Sequence, residues 1–176
     1  MTYKSNNTAI KFPVKIILLS GLLVGTLDIA AAFADYYIST GKNPLVVLSY
    51  IASGVFGKSV IGGGAGIMLM GLFFHYFIAF SFTVFFFWLY SNTSLLSGNR
   101  VLTGFAYGIF IWVIMNLVVV QLSAVPHGPI SAMKFNKIIK AALILIGMIG
   151  LPPSFIAYKY SPSKSAGKEE SELQPL

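Results

Sequence analysis

Four apolar runs, each long enough to cross a bilayer, decide the fold before any other feature is weighed. They cover about residues 14–38, 67–90, 101–124 and 138–158. A helix rises about 1.5 Å per residue, so roughly 20 apolar residues cross a hydrocarbon core about 30 Å thick. In that core every backbone N–H and C=O must find a partner inside the protein, and for segments of this pattern the helix provides it. Only 10% of the residues are charged and 56% are hydrophobic, whereas a soluble domain has about 25% charged residues. We therefore expect an all-α membrane protein, a four-transmembrane-helix bundle in one domain over residues 1–158. The Ser-, Lys- and Glu-rich stretch 159–176 reads as a disordered polar tail.

The connections are also legible. Gly41-Lys42-Asn43-Pro44 interrupts the pattern after the first run. Asn43 suits a helix cap and Pro44 a first turn, so a new helix is expected over about 44–57. It is too short to cross, and it reads as an interfacial or re-entrant helix between spans one and two. Gly62-Gly63-Gly64-Ala65-Gly66 follows as a flexible turn. Pro152-Pro153 is expected to kink or fray the far end of span four. Ala32-Phe33-Ala34 has the look of a signal-peptide cleavage site. Against cleavage, the apolar run is longer than an h-region of about 7–15 residues and contains Asp28. With the N-terminus inside, seven of the Lys and Arg residues lie on the inner side and five on the outer. That favours a cytoplasmic N-terminus and C-terminus.

Polar groups inside the spans carry the functional signal. Gly21, Gly25, Asp28, Ala32 and Asp35 recur at steps of 4, 3, 4 and 3, so one face of span one carries all five. A carboxylate at the bilayer centre costs about 2.5–3.5 kcal/mol even on the translocon scale, and it seeks a donor or a proton. Asp28, His75 and Asn116 each stand alone among apolar neighbours on different spans. Asp28 lies roughly 21 Å above the inner end of span one, and Asn116 roughly 22 Å above the start of span three. Span two runs the other way, which puts His75 roughly 18 Å above the inner side. We expect the three to face inward and meet as a buried Asp/His/Asn cluster. Asp35, beside Tyr36 and Tyr37, reads as an interfacial acid within reach of Lys42 or Lys58. Gln121 is a secondary polar group on span three. Gly21 and Gly25, like Gly104 and Gly108, have the GxxxG spacing that lets helices approach closely.

Other chemistries are poorly served. The net charge of +7 is scattered singly between apolar runs, which suits headgroup anchoring and not nucleic acid. Ala52-Ser53-Gly54-Val55-Phe56-Gly57-Lys58-Ser59 matches a relaxed phosphate-loop pattern but lacks the preceding strand and the acidic partner, so no nucleotide is expected. With no Cys, one His and two Asp in the spans, no metal set forms. His127 sits in a Pro-Gly turn, which disfavours a two-histidine haem site with His75. No cofactor is expected. A Ser-His-Asp arrangement lacks a nucleophile elbow.

The chain resembles an uncharacterised family of small bacterial inner-membrane proteins with four predicted spans. Asp28-Ile29, Pro44, Val47-Leu48, Ile51-Ala52-Ser53-Gly54 and Gly57 carry the likeness first. Gly62-Gly63, His75, Ile78-Ala79, Tyr107-Gly108, Met115-Asn116 and Leu122-Ser123-Ala124 complete it, within about residues 18–126. The resemblance implies a multi-pass protein of the bacterial inner membrane and gives no reaction. Three readings of function follow. One is a non-enzymatic protein whose buried cluster handles a proton, ion or small polar ligand. The second is a structural or assembly protein whose polar cluster and glycine faces lock helices, a homo-oligomer or a membrane-protein partner. The third is an enzyme acting on a lipid or quinone, for which no catalytic set can be assembled.

Overall fold

The computed structural model describes residues 12–93, 96, 98–126, 128 and 135–161. Its regular elements are all helical among the described residues: α1 (Val14–Thr40), α2 (Val46–Phe56), α3 (Ala65–Asn92), α4 (Arg100–Leu122) and α5 (Phe135–Tyr160). All but α2 are long and apolar enough to cross a membrane. Each span differs from the expected bounds by only a few residues. The tail beyond Ser161, His127 and the first eleven residues lie outside the described residues.

Local chemistry sets the ends. Gly41 closes α1 at φ 67°, a left-handed cap, with its N–H on the Tyr37 carbonyl at 2.7 Å. Asn99 opens α4, its side-chain oxygen accepting from the N–H of Val101 at 2.9 Å. Asn43 accepts from the Leu45 N–H at 3.0 Å and turns the chain into α2. The phosphate-loop-like stretch falls on the end of α2 and the short turn Lys58–Val60 after it, with no strand before it.

α1 packs on α3 and on the second half of α5, α4 packs on α5, and α2 lies along the first turns of α3. Glycines set how close these pairs come. A Cβ on Gly25 would stand 2.8 Å from the Tyr76 ring, and one on Gly21 would overlap Phe80. Gly108 faces the Ile146 Cα, 2.5 Å from where its own Cβ would be, and Gly104 and Gly150 face each other's helices. The glycine faces legible in the sequence are thus covered inside a single chain, α1 on α3 and α4 on α5. They are not left open for a second copy.

α4 and α5 each contain one wide turn. The Val120 N–H reaches back to the Met115 carbonyl, and the Leu151 N–H to Ile146, five residues in each case. Single π turns of this kind cluster at functional sites. In α5 the π turn immediately precedes Pro152-Pro153, which then occupy the first turn of the stretch Leu151–Tyr160. A first turn needs no donor from them. Of the expected kink or fray, the fray does not occur: α5 runs on to Tyr160, past the expected start of the tail.

Phe86, Phe87, Tyr90, Tyr107, Val24 and Ile111 form the core, in the half of the bundle away from α2. Tyr107 ties α4 to α3 there, donating to the Phe82 carbonyl at 2.6 Å. Outside, Leu69, Phe73, Phe77, Leu102 and Leu122 are exposed, an apolar belt suited to lipid.

Candidate functional site

Asp28 and His75 come together near the middle of α1 and α3. The His75 Nε2 lies 2.8 Å from the Gly25 carbonyl. A carbonyl only accepts, so Nε2 carries the hydrogen. The other ring nitrogen, Nδ1, then faces Asp28, with 4.0 Å to Oδ2. The glycine at position 25 makes this contact attainable, since it lets α3 come close enough for His75 to reach the α1 backbone. Tyr76 supports the same seam through a 2.9 Å hydrogen bond to Thr26 Oγ1. The His75 side chain is 9% exposed and that of Asp28 is 21% exposed.

With Nε2–H fixed on Gly25, one further proton can reside on Nδ1 or on the carboxyl, and either placement leaves the pair neutral. Without that proton the pair carries one negative charge in a largely apolar site. It is therefore a one-proton acceptor, or a receptor for one small cationic or hydrogen-bonding group. A movement of about 1 Å would bring the two groups into direct hydrogen bonding. Among the described residues no third His, Cys, Asp or Glu joins them, while a structural zinc needs about four ligands.

The pair opens onto a cavity of about 230 Å³ lined by α1, α2, α3, α4 and α5 side chains, among them Val47, Ile51, Ile78, Met115 and Leu145. A larger cavity of about 610 Å³ adjoins it. The two share Ala32, Val47, Met115 and Leu145, which form a collar between them. Asp35, Ser39, Asn116, Lys137 and Lys140 line the larger one, with Tyr36, Tyr50 and Trp112. It is a mainly apolar vestibule with charged and amide groups on its wall, at the α2 end of the bundle, and Asp35 on it lies two helical turns along α1 from Asp28. The two π turns flank the collar: Met115 opens one, and Leu145 immediately precedes the other.

Asn116 does not join Asp28 and His75. Its amide donates to the Trp112 carbonyl of its own helix at 2.8 Å, and it lines the vestibule. The expected meeting of all three therefore does not occur: Asn116 faces the neighbouring cavity, with Asp35 and the α5 lysines. Gln121 is likewise tied to α4, donating to the Asn116 carbonyl at 3.3 Å. These two amides serve backbone carbonyls around the π turn. Asp35 pairs with Lys140 on α5, and not with Lys42 or Lys58. Lys140 also donates to Ser39 Oγ at 3.3 Å. Lys140 and Asp35 are 50% and 37% exposed, so the ion pair is well solvated. Asp35→Asn is expected to lower stability by less than about 1 kcal/mol, read as a small change in thermal unfolding in detergent.

Tyr50 closes the vestibule from α2, its hydroxyl donating to the Pro126 carbonyl at 3.1 Å. Burial pushes the pKa of this phenol above its usual range and keeps it a donor. The Gly54 carbonyl accepts from the Ala124 N–H at 2.9 Å, so α2 is held at both α3 and the end of α4. Lys137, Lys140 and Tyr50 belong to the site without having been singled out in the sequence. The three-residue spacing of the lysines, which puts them on one side of α5, was the available signal.

No protein-family model, curated protein or solved structure matches this chain.

Proposed function

We propose that this multi-pass protein takes up a proton, or a small polar ligand able to exchange one, from the α2 side into the Asp28–His75 pocket. The observation that supports this most is the His75 geometry. Nε2 is committed to Gly25, so Nδ1 is left facing a carboxyl group in a cavity that meets the vestibule at a four-residue collar. In the reading drawn from the family resemblance and the Lys and Arg distribution, the membrane is a bacterial inner membrane and both termini are cytoplasmic. The α2 side is then the outer side.

Passage across the membrane requires the far half to open, because the aromatic core lies beyond the pocket. The π turns of α4 and α5 sit beside the pocket and are natural places for those helices to bend. The test is reconstitution in liposomes under an imposed pH gradient with a trapped pH-sensitive dye. Proteoliposomes with the parent protein should dissipate the gradient faster than empty liposomes. Equal rates would overturn the transport reading.

A structural role is the second reading, and one contact favours it. The His75–Gly25 hydrogen bond clamps α3 to α1 whatever the state of Asp28. A clamp needs neither the carboxyl group nor the vestibule, and this separates the two readings experimentally.

A further inference from the structure

The vestibule has a more apolar neighbour. A cavity of about 540 Å³, lined by Phe73, Phe74, Phe77, Val55 and Val119 among others, shares Tyr50, Met115 and Val120 with it. Val55, Phe73 and Phe77 are exposed on the outer surface of the bundle, so this aromatic cavity faces the lipid side. The vestibule is cationic: Lys137 and Lys140 line it against the single carboxylate of Asp35.

Lys140 is held by Asp35 and Ser39, but no such contact accounts for Lys137 among the described residues. Both lysines fall in the first two turns of α5, and its first turn holds no acidic residue. The helix macrodipole is positive at that end, so cations there repel it and an anion is favoured. Asp35 offsets one of the two charges. Cationic charge and an adjoining apolar chamber together describe a receptor for an anionic amphiphile.

We infer that the two cavities form a specific site for one anionic lipid, its phosphate or carboxylate headgroup at Lys137 and Lys140 and one of its chains in the aromatic cavity. This site occupies the vestibule that leads to the Asp28–His75 pocket but uses neither member of the pair, and its test reads lipid binding and not flux. Either can fail without the other.

Native mass spectrometry of the full chain in detergent tests it. The probes are phosphatidylglycerol, phosphatidylcholine with the same chains, and glycerol phosphate, which has the charge without the chains. The parent should hold one phosphatidylglycerol tightly, phosphatidylcholine weakly and glycerol phosphate hardly at all. Lys137→Gln and Lys140→Gln should each weaken phosphatidylglycerol binding by about five-fold. Val119→Trp, which fills the apolar chamber, should weaken both lipids and leave their ratio unchanged. Equal binding of the two lipids, or lysine variants that bind as the parent does, overturns the inference. Binding of glycerol phosphate as tight as that of the lipid shows a free-anion site and overturns the lipid assignment. Circular dichroism of each variant verifies that it is folded, and Lys137→Arg, which keeps the charge, should bind as the parent does.

Discussion

Proteoliposomes carrying Asp28→Asn are expected to dissipate a pH gradient no faster than empty liposomes, a loss on the order of tenfold or more from the parent rate. Asparagine keeps the size of the side chain and can still face His75 Nδ1 from 4.0 Å away. It can neither take nor release a proton. The variant should therefore unfold at the parent temperature or slightly above it, since an ionisable group has left an apolar site. His75→Ala should be inactive for a different reason and less stable. It removes the acceptor at Nδ1 and also the 2.8 Å bond to Gly25, and leaves Asp28 without its neighbour. A buried hydrogen bond lost in this way costs about 1–3 kcal/mol. If the pair were only a clamp, Asp28→Asn would leave flux unchanged and His75→Ala alone would have an effect. Flux by Asp28→Asn at the parent rate would refute the proton role.

The second large effect is expected at Gly71. This glycine of α3 lies directly under the Leu48 carbonyl of α2, and a Cβ added there would overlap the carbonyl carbon and oxygen. A backbone group cannot rotate aside as a side chain can, so α2 must lift. Overpacking of this kind costs about 1–3 kcal/mol and occasionally more, and Gly71→Leu should fall at the upper end. Lifting α2 also disturbs Val47 and Ile51, which line the Asp28–His75 cavity, and Tyr50, which lines the vestibule. Hydrogen exchange should show α2 losing protection while α4 and α5 keep theirs. Parent-like protection of α2 in Gly71→Leu would contradict this packing.

Much of the architecture is legible from the residues because membrane helices obey strong one-dimensional rules. Length and apolarity mark four spans, and Gly41-Lys42-Asn43-Pro44 marks the end of α1 and announces α2. Depth along a helix is also legible, which is why Asp28 and His75 could be paired by counting residues. Rotation about the helix axis is not. Asn116 turns to the cavity beside the pair, a facing that counting residues along α4 does not give. Partners across long sequence separations are equally hidden: Asp35 finds Lys140 on α5 because α1 and α5 meet at that end, although Lys42 and Lys58 are nearer in sequence. The fray expected at the proline pair is absent for a related reason, since the π turn just before it has no clear sequence mark.

The account rests on Asp28 and His75 being reached through the vestibule from the α2 side. The native chain contains no cysteine, so a single thiol can be placed without background. Ala32 lies in the collar between the two cavities, one helical turn from Asp28. Ala32→Cys, reconstituted in vesicles of one known orientation, should react with a small membrane-impermeant thiol reagent added on the α2 side and stay unmodified when the reagent is added opposite. Modification from the opposite side, or from neither side, would contradict it.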